Sequence, residues 1–313
     1  MIRGSIIGFL MLLLALAGCA PGGPAPVRFV FSKAGHLQSS GLTEASGLAA
    51  SRRHPGVLWA VNDSGNQPLL FAFDQRGVSL GEVLVKGAAN VDWEDLAAFS
   101  WRGENWLLVA DVGDNRGQRP LVVLHFFREP VPDSKGRFAG EIRPAWSLSL
   151  TYPEGPRDCE AVAVDEKAGK ILLLSKRTEP PVLYELPLEI PASDHPVVAT
   201  PVALLETIPP PASFDLLLPH GQFRSQPTAM DLSPDGGTLL VLTYRHAYLF
   251  RRQKGETWIA ILARQPQKVE LPDLFALPQR EAACFSADGM SWFVTSEGEG
   301  AGIYRVSAES AGR

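Results

Sequence analysis

An acidic pattern that recurs five times along the chain constrains its fold more than any other feature. The copies begin at Thr43, Asp92, Asp158, Pro227 and Arg280 and read TEASGLAAS, DWEDLAAFS, DCEAVAVDE, PTAMDLSPDG and REAACFSADG. Each copy is followed by two apolar runs of strand length, such as VLWAVNDSG and LLFAFD after the first. Sets of short strands that repeat every ~50 to 70 residues predict the blades of a β-propeller.

A fourth strand of each predicted blade fits the gap before the next copy. The candidates are VSLGEVLV from Val78, RPAWSLSL from Arg143, TPVALLETI from Thr200 and TWIAILARQ from Thr257. The last blade lacks such a strand, and VRFVFSKAG from Val27 can supply it, which closes the ring without a long exposed sheet edge. We predict an all-β protein, a single propeller of five four-stranded blades closed by the N-terminal strand. Hairpins between Glu94 and Thr228 could make a sixth blade.

The first 26 residues predict the cellular compartment. MIRGSIIGFLMLLLALAGCA has one basic residue, an apolar run and small residues before Cys19, as in a bacterial lipoprotein signal peptide. A plain transmembrane anchor is the alternative, but the apolar run from Ser5 to Ala17 is short for a span of about 20 residues. We expect a signal peptide over residues 1–18, a tether from lipidated Cys19 to residue 26, and the propeller over residues 27–313.

Location and partners follow from the same segment and from the charge. Ala20 is not the Asp of an inner-membrane retention signal, so the predicted location is the outer membrane, facing the periplasm. The net charge is −5 and no block of Lys and Arg stands out, which argues against a nucleic-acid partner. The expected partners are the membrane, through Cys19, and a small ligand or an envelope protein.

Besides lipidated Cys19, two cysteines remain in the predicted mature chain. Cys159 and Cys284 lie in apparent strands of different repeats. An oxidising compartment permits a disulfide between them, but their separation in the repeats favours two free, partly buried thiols.

The segment TIPPPASFDLLLPHGQFRSQPT, from Thr207 to Thr228, interrupts the repeat pattern. Its three consecutive prolines exclude regular strand pairing there. The apolar stretch FDLLLP favours packing over one face of the ring rather than a mobile loop.

Antiparallel pairing predicts where the polar ends of the strands meet. The first strand of each blade starts where the second ends, so both sets of residues should lie on one rim of the central channel. The acids at these positions are Glu44, Asp63, Asp92, Glu94, Asp111, Asp114, Asp158, Glu160 and Glu281, and the bases are Lys176, Arg177 and Arg245. Aligning the five copies puts Glu44, Glu94, Glu160, Thr228 and Glu281 in one column.

Carboxylates brought this close repel one another unless a cation or protons intervene. Oxygen ligands suit a hard divalent cation, and a flexible set of six to eight oxygens suits Ca²⁺ best. Two alternatives remain open: structural acids that accept backbone hydrogen bonds, and a protonated catalytic pair. The loop DVGDNRGQ, from Asp111 to Gln118, fits a cation site or a turn in which Gly113 and Asn115 take positive φ.

Several enzyme classes lack their signatures here. The sequence has no G-x-S-x-G, P-loop, H-E-x-x-H or C-x-x-C motif, which disfavours a serine hydrolase or a zinc enzyme of known pattern. The three bases could neutralise the acids or bind an anion. A cation beside bases is also what phosphoester hydrolysis requires, so a metal-dependent hydrolase of phosphoesters or lactones is the alternative to a binding protein.

The motifs also carry a family resemblance. VDWEDLA, DVGDNR, RDCEAVAVD, PTAMDLSPDG with LLVLTYRHAYLF, and REAACFSADG resemble an uncharacterised family of secreted bacterial β-propeller proteins. The likeness spans nearly the whole mature chain and extends remotely to calcium-dependent propeller phytases and lactonase-type propellers. It implies a propeller with an acidic channel mouth. Thr228 departs from the Glu of the other copies, which excludes a symmetric ring of five carboxylates.

Overall fold

Each of the five sequence copies forms the innermost strand of one antiparallel sheet. The computed structural model describes residues 27–189, 195–218 and 221–309, and these form a five-bladed propeller. The inner strands are buried along almost their whole length, because each packs against the inner strands of both neighbouring blades. Burial on both faces explains why these strands are nearly continuous runs of small and apolar residues.

The strands follow the predicted order closely. In chain order they are Phe29–His36 (β1), Ala45–Ala50 (β2), Val57–Asn62 (β3), Leu69–Asp74 (β4), Ser79–Val85 (β5), Trp93–Trp101 (β6), Glu104–Asp111 (β7), Val122–Arg128 (β8), Glu141–Ile142 (β9), Trp146–Thr151 (β10), Cys159–Asp165 (β11), Lys170–Ser175 (β12), Val182–Pro187 (β13), Val197–Val198 (β14), Thr200–Leu204 (β15), Pro227–Leu232 (β16), Thr238–Thr243 (β17), His246–Arg251 (β18), Gln267–Glu270 (β19), Arg280–Phe285 (β20), Ser291–Ser296 (β21) and Gly302–Ala308 (β22).

The five blades are built alike, from the channel outward. Blade one is β2-β3-β4-β5, blade two β6-β7-β8-β10, blade three β11-β12-β13-β15, blade four β16-β17-β18-β19 and blade five β20-β21-β22-β1. The short strands β9 and β14 add parallel pairings at the outer edges of blades one and two. The predicted closure of the ring is confirmed: β1 pairs antiparallel with β22, so the first strand completes the last blade.

One predicted fourth strand is wrong. TWIAILARQ forms a short helix, Trp258–Leu262 (α1), and the outer strand of blade four is β19 instead. The Thr257 side chain caps the helix by accepting a hydrogen bond from the backbone N–H of Ala260. Trp258, Ile261 and Leu262 are buried with helical spacing, whereas Ile259 is exposed. The apolar residues of this segment therefore follow a period of 3.6, not 2.

The insertion before blade four packs on the ring, as predicted, but through other residues than expected. It contains two 3₁₀ turns, Asp215–Leu217 and Gly221–Phe223, and its side chains Asp215 and Arg224 are buried. The apolar residues Phe214, Leu216 and Leu217 are largely exposed. Asp215 pairs with Arg224 at 3.4 Å within the insertion and with Arg245 of the loop after β17, so ion pairs take the place of the expected apolar contact with the ring.

The two cysteines of the propeller are free and buried, as predicted. Cys159 lies at the start of β11 in blade three and Cys284 in β20 of blade five. Burial raises the pKa of both thiols, so they remain protonated and unreactive at neutral pH.

Candidate metal centre at the channel mouth

Every inner strand has a β-bulge close to its start. The strand register skips one residue in each blade, and the skipped residues are Ser46, Glu94, Glu160, Thr228 and Glu281. A bulge residue leaves the ladder, and its side chain can be directed away from the sheet. The five bulges therefore place one polar side chain per blade at the same level of the channel.

The bulge register corrects the column aligned from the sequence. Glu44 precedes the bulge of blade one by two residues, which is the position held by Asp92 and Asp158 in blades two and three. Its carboxylate accepts a hydrogen bond from Asn66 Nδ2 at 2.5 Å. Ser46, not Glu44, is the counterpart of Glu94. The sequence alignment pairs Glu44 with Glu94 because both residues are acids. In the structure the strand register follows the small residues that come after them.

The five bulge side chains divide into two kinds. The hydroxyls of Ser46 and Thr228 each donate to a backbone carbonyl of the next blade, Trp93 O at 2.8 Å and Arg280 O at 2.7 Å. These two residues therefore fasten adjacent inner strands together. The other three bulges carry the carboxylates Glu94, Glu160 and Glu281, which lie at the mouth of the channel.

Two overlapping groups of carboxylates lie close enough to share a cation. In one group Asp63, Asp92 and Glu94 each offer an oxygen within 4.8 Å of the others, and in the second group Glu94, Asp158 and Glu160 do the same. Glu94 belongs to both groups. The structure therefore brings five of the nine predicted acids together, from blades one, two and three.

Glu94 differs from its neighbours in having no hydrogen-bond partner among the described residues. Its side chain is buried, with only 4% of the residue exposed. Burial raises the pKa of Glu94 well above its usual range, and the nearby charges of Glu160 and Asp63 raise it further, against the opposing effect of Lys176. An unpartnered buried carboxylate is costly unless a proton or a cation accompanies it.

Asp92, on the other side of the same site, is perturbed in the same direction. Burial, followed by the charge of Asp63, raises the pKa of Asp92 to about 6. Asp63 itself has a raised pKa, again chiefly through burial. The three carboxylates of the first group thus all resist ionisation without a counter-charge.

Gly113 leaves the space in which these carboxylates lie. A Cβ atom at this position would lie 2.1 Å from Glu94 Oε1 and 2.6 Å from Asp92 Oδ2, closer than any side chain allows. The predicted positive φ belongs to Gly117, with φ of 60°, and neither Gly113 nor Asn115 adopts one. Gly113 is therefore needed for close approach and not for a turn conformation.

Asp111 and Asp114 lie beside this site, but their carboxylates hold the loop between β7 and β8. Asp111 Oδ1 is 2.7 Å from Arg119 Nη2, a basic partner that the sequence patterns did not single out. Asp114 accepts hydrogen bonds at 2.8 Å from the backbone N–H groups of Gln118 and Arg119. Both acids therefore stabilise this loop, as the turn alternative predicts. The loop that they hold forms the wall of the site behind Asp92.

Two of the predicted bases neutralise the acids of blade three. Lys176 is buried and its Nζ lies 2.6 Å from Glu160 Oε2. Arg177 pairs with Asp158 and lies 3.4 Å from Glu160 Oε1, yet about a third of its side chain remains exposed. Burial raises the pKa of Glu160 to about 7 even though the charge of Lys176 acts against that shift. The second carboxylate group therefore already has positive charge beside it.

Tyr244, which follows β17, extends this network to blade five. Its hydroxyl donates to the carboxylate of Glu281 and accepts a hydrogen bond from Lys176 Nζ at 3.2 Å. Burial raises the pKa of Glu281 to about 8. Glu281 is thus linked through Tyr244 and Lys176 to Glu160, outside the two carboxylate groups around Glu94.

Arg245, the third predicted base, faces the insertion. It pairs with Asp215, and Arg177 stacks on the ring of Phe223 with 5.3 Å between guanidinium carbon and ring centroid. The backbone N–H of Arg177 also donates to Gln226 Oε1 at 3.0 Å. The insertion therefore borders the basic side of the mouth and holds both arginines in place.

Comparisons with known proteins support the fold. No protein-family model matches the chain. No curated protein sequence matches it either. The major allergen Mala s 1 of Malassezia sympodialis is similar with a TM-score of 0.52 at 11% identity, covering 87% of this chain and 94% of that one.

Two further solved structures are more distant. The PQQ-bound aldose sugar dehydrogenase of Streptomyces coelicolor has a TM-score of 0.43 at 13% identity, covering 91% of this chain and 99% of the other. The Pan2 WD40 domain of Neurospora crassa has a TM-score of 0.37 at 7% identity, covering 86% and 64%. At such identities the likeness concerns the propeller fold alone.

The N-terminal predictions lie outside the described residues. These comprise the signal peptide, lipidated Cys19 and the tether to residue 26. Within the described ranges, no helix has the length and apolar character needed to cross a membrane.

Proposed function

We propose that the chain is a cell-envelope lipoprotein whose propeller binds a divalent cation, best matched by Ca²⁺, at the acidic channel mouth. The cation and the neighbouring bases together bind an anionic small ligand or an envelope protein. The observation that carries this proposal is Glu94, a buried carboxylate without a hydrogen bond from the described residues, shared by two groups of acids.

The first carboxylate group is the better cation site of the two. Asp63, Asp92 and Glu94 have raised pKa values and no Lys or Arg within ion-pair distance in the described structure. In the second group, Lys176 and Arg177 already neutralise Asp158 and Glu160. A cation beside Glu94 would supply the charge that the first group lacks.

The donor set favours a hard cation. All the candidate ligands are carboxylate oxygens, and the described part of the mouth places no His or Cys in either group. Ca²⁺ accepts irregular sets of carboxylate oxygens and completes its shell with water, whereas Zn²⁺ prefers nitrogen and sulfur.

Arg177 supports an anionic ligand. It lies against the acids that flank the cation site, and a third of its side chain faces solvent. A ligand carboxylate or phosphate bound to the cation could accept hydrogen bonds from this guanidinium as well. The same arrangement supports the alternative function, a metal-dependent hydrolase of phosphoesters or lactones, in which Arg177 would hold the anion.

Calcium titration tests the proposal. Isothermal calorimetry on the metal-free protein should show binding that Glu94→Gln abolishes, since the amide keeps the shape of the side chain but removes its charge. Glu104→Gln is the matched control, because Glu104 is an exposed acid at the opposite end of β7. A wild-type protein that takes up neither Ca²⁺ nor Mg²⁺ would contradict the proposal.

Turnover separates a binding protein from an enzyme. A panel of phosphate monoesters and lactones is assayed with Ca²⁺ and with chelator. Calcium-dependent hydrolysis that is lost in Glu94→Gln and kept in Glu104→Gln would establish the hydrolase. Calcium binding without turnover supports the binding function.

A further inference from the structure

A second feature lies far from the mouth, at the outer rim between blades four and five. A groove of about 1020 Å³ separates the outer strand of blade five, β1, from β18, β19 and α1 of blade four. Its apolar wall includes Phe29, Phe31 and Ile261. Phe31 is 47% exposed, so its ring is accessible from solvent on the groove side of the strand.

The rim of this groove is basic although the protein is acidic overall. Four of its charged residues are Arg28, Arg251, Arg264 and Lys268, and one is acidic, Glu270. All four bases are exposed. Arg251 has no acidic partner among the described residues, whereas the other three bases form ion pairs, Arg28 with Glu309, Arg264 with Glu256 and Lys268 with Glu270. The excess positive charge of the groove therefore rests on Arg251. Basic side chains around an exposed apolar surface are typical of proteins that contact an anionic lipid interface.

The groove lies along the outer edge of blades four and five and extends to the strand ends remote from the acidic mouth. Arg251 pairs with Thr238, at the start of β17, whereas the mouth is formed where β17 ends. Phe29 pairs with Ala308, at the far end of β22 from the mouth. A surface bound to this groove would therefore not cover the carboxylates of the cation site.

The groove also contains the point at which the chain leads into residues 1–26. Val27 lines it, and its carbonyl accepts a hydrogen bond from the side chain of Gln267 in β19. The tether of residues 19–26 is short, at most about 3.5 Å per residue when extended. A membrane that holds Cys19 must therefore lie near this groove.

We propose that this basic and apolar groove rests on the surface of a bilayer that contains anionic phospholipid. The inference rests on the proposed lipoprotein anchor for its biological setting, but the contact itself needs no lipid on Cys19. Phosphate headgroups would meet Arg251, Lys268 and their basic neighbours, while Phe31 reaches the acyl boundary. The anchor and the groove together would hold the acidic mouth open to the periplasm.

Vesicle sedimentation tests the contact without the anchor. The probe is the predicted mature chain, residues 19–313 carrying C19S, with vesicles of phosphatidylcholine alone or mixed equally with phosphatidylglycerol. We expect binding to the anionic vesicles only, weakened by salt, and weakened about tenfold or more in R251E/K268E. R128E/K135E is the control, since both residues are exposed and lie outside the groove, and Arg128, like Lys268, forms an ion pair with a glutamate.

The apolar part has its own matched pair of variants. Phe31→Ser should weaken binding, whereas Phe275→Ser, which removes a fully exposed phenylalanine outside the groove, should not. Equal binding to both kinds of vesicle, no binding to either, or equal loss in the two charge-reversal variants would overturn the proposal. Because Ca²⁺ binding is measured separately and the vesicle probe carries no lipid on residue 19, failure here is distinguishable from failure of the proposed function.

Discussion

Glu94 and Asp95 are neighbours in sequence, and both are buried acids, yet they lie in two different regions of the channel. Asp95 belongs to the channel wall: its carboxylate accepts backbone N–H groups of Leu96 at 2.8 Å, Val162 at 2.8 Å and Met230 at 3.2 Å. These donors come from blades two, three and four. Glu94, at the mouth, accepts none from the described chain.

The difference shows that burial alone does not identify a ligand site. Burial raises the pKa of both carboxylates. At the wall, hydrogen bonds offset the cost of burying Asp95 and connect three blades, so the acid is part of the scaffold. At the mouth Glu94 accepts no hydrogen bond from the described residues and the charge of Lys176 opposes that cost only in part, so its carboxylate is available to a cation.

Asp95→Ala tests the structural side of this comparison and has the largest expected effect. The substitution leaves three buried N–H groups without an acceptor, each costing roughly 1–3 kcal/mol. We expect the free energy of unfolding to fall by about 4 kcal/mol. Urea denaturation followed by tryptophan fluorescence, in chelator, measures this change.

Glu94→Ala is the matched variant, one residue away. Because its carboxylate accepts no hydrogen bond from the described residues, the change in stability without cation should be within about 1 kcal/mol. A loss as large as that of Asp95→Ala would show that both acids are structural, and the contrast between wall and mouth would fail.

Lys176→Met breaks the buried ion pair on the basic side of the mouth. It leaves Glu160 without the partner that lies 2.6 Å away, and we expect a loss of about 3 kcal/mol in chelator. Added Ca²⁺ should recover part of the loss, because a cation can then neutralise Glu160. Lys170→Met, which removes an exposed pair with Glu185, should cost under about 1 kcal/mol. Equal losses in the two variants would contradict the assignment of Lys176.

The dependence of stability on pH reports the protonation of the mouth carboxylates as a group. The pKa values of Asp92, Glu160 and Glu281 are raised to about 6, about 7 and about 8. Between the lower pKa values of the unfolded chain and these values, the folded state binds more protons. The contribution of these three carboxylates to stability therefore falls as pH rises, from about pH 4 to about pH 8, while His246, whose pKa is lowered to about 4, contributes in the opposite direction.

Saturating Ca²⁺ should flatten this decline, because a bound cation replaces the protons as counter-charge. Thermal unfolding at a series of pH values, with chelator or with Ca²⁺, measures both curves. A difference in melting temperature between the two curves that does not widen as pH rises would show that the mouth acids are already balanced without a cation.

The repeat pattern was sufficient to predict the blade number, the closure by β1 and four of the five outer strands. These features follow from hydrophobic runs of strand length that are buried on both faces of the sheet. A single residue does not alter such a run. The outer strand of blade four was missed because Thr257 starts a helix there, and a short apolar run fits either period. Errors of this kind concern segments at the outer edge of the propeller, where packing in the core does not determine the secondary structure.

The site was harder to predict, since the residue type does not show which hydrogen-bond or charge partners a carboxylate has. The acids of the mouth were found, but Asp111 and Asp114 proved to hold their own loop and Glu44 lay outside the bulge column. Their hydrogen bonds depend on Arg119 and on backbone positions that no local pattern reveals. The glycine in DVGDN was visible, but its role required knowing which carboxylates it faces.

Gly113→Ala gives the smallest expected change in stability and the most specific test of the mouth. The added methyl group occupies the space beside Glu94 Oε1 and Asp92 Oδ2, so the two carboxylates must move apart. We expect the Kd for Ca²⁺ to rise about tenfold or more in calorimetry, while the fold persists. The control Gly117→Ala strains the same loop through its positive φ, at a cost of about 1 kcal/mol, but fills only open space and should leave the affinity unchanged. If both variants lose affinity alike, the effect comes from the loop, and Gly113 does not shape the cation site.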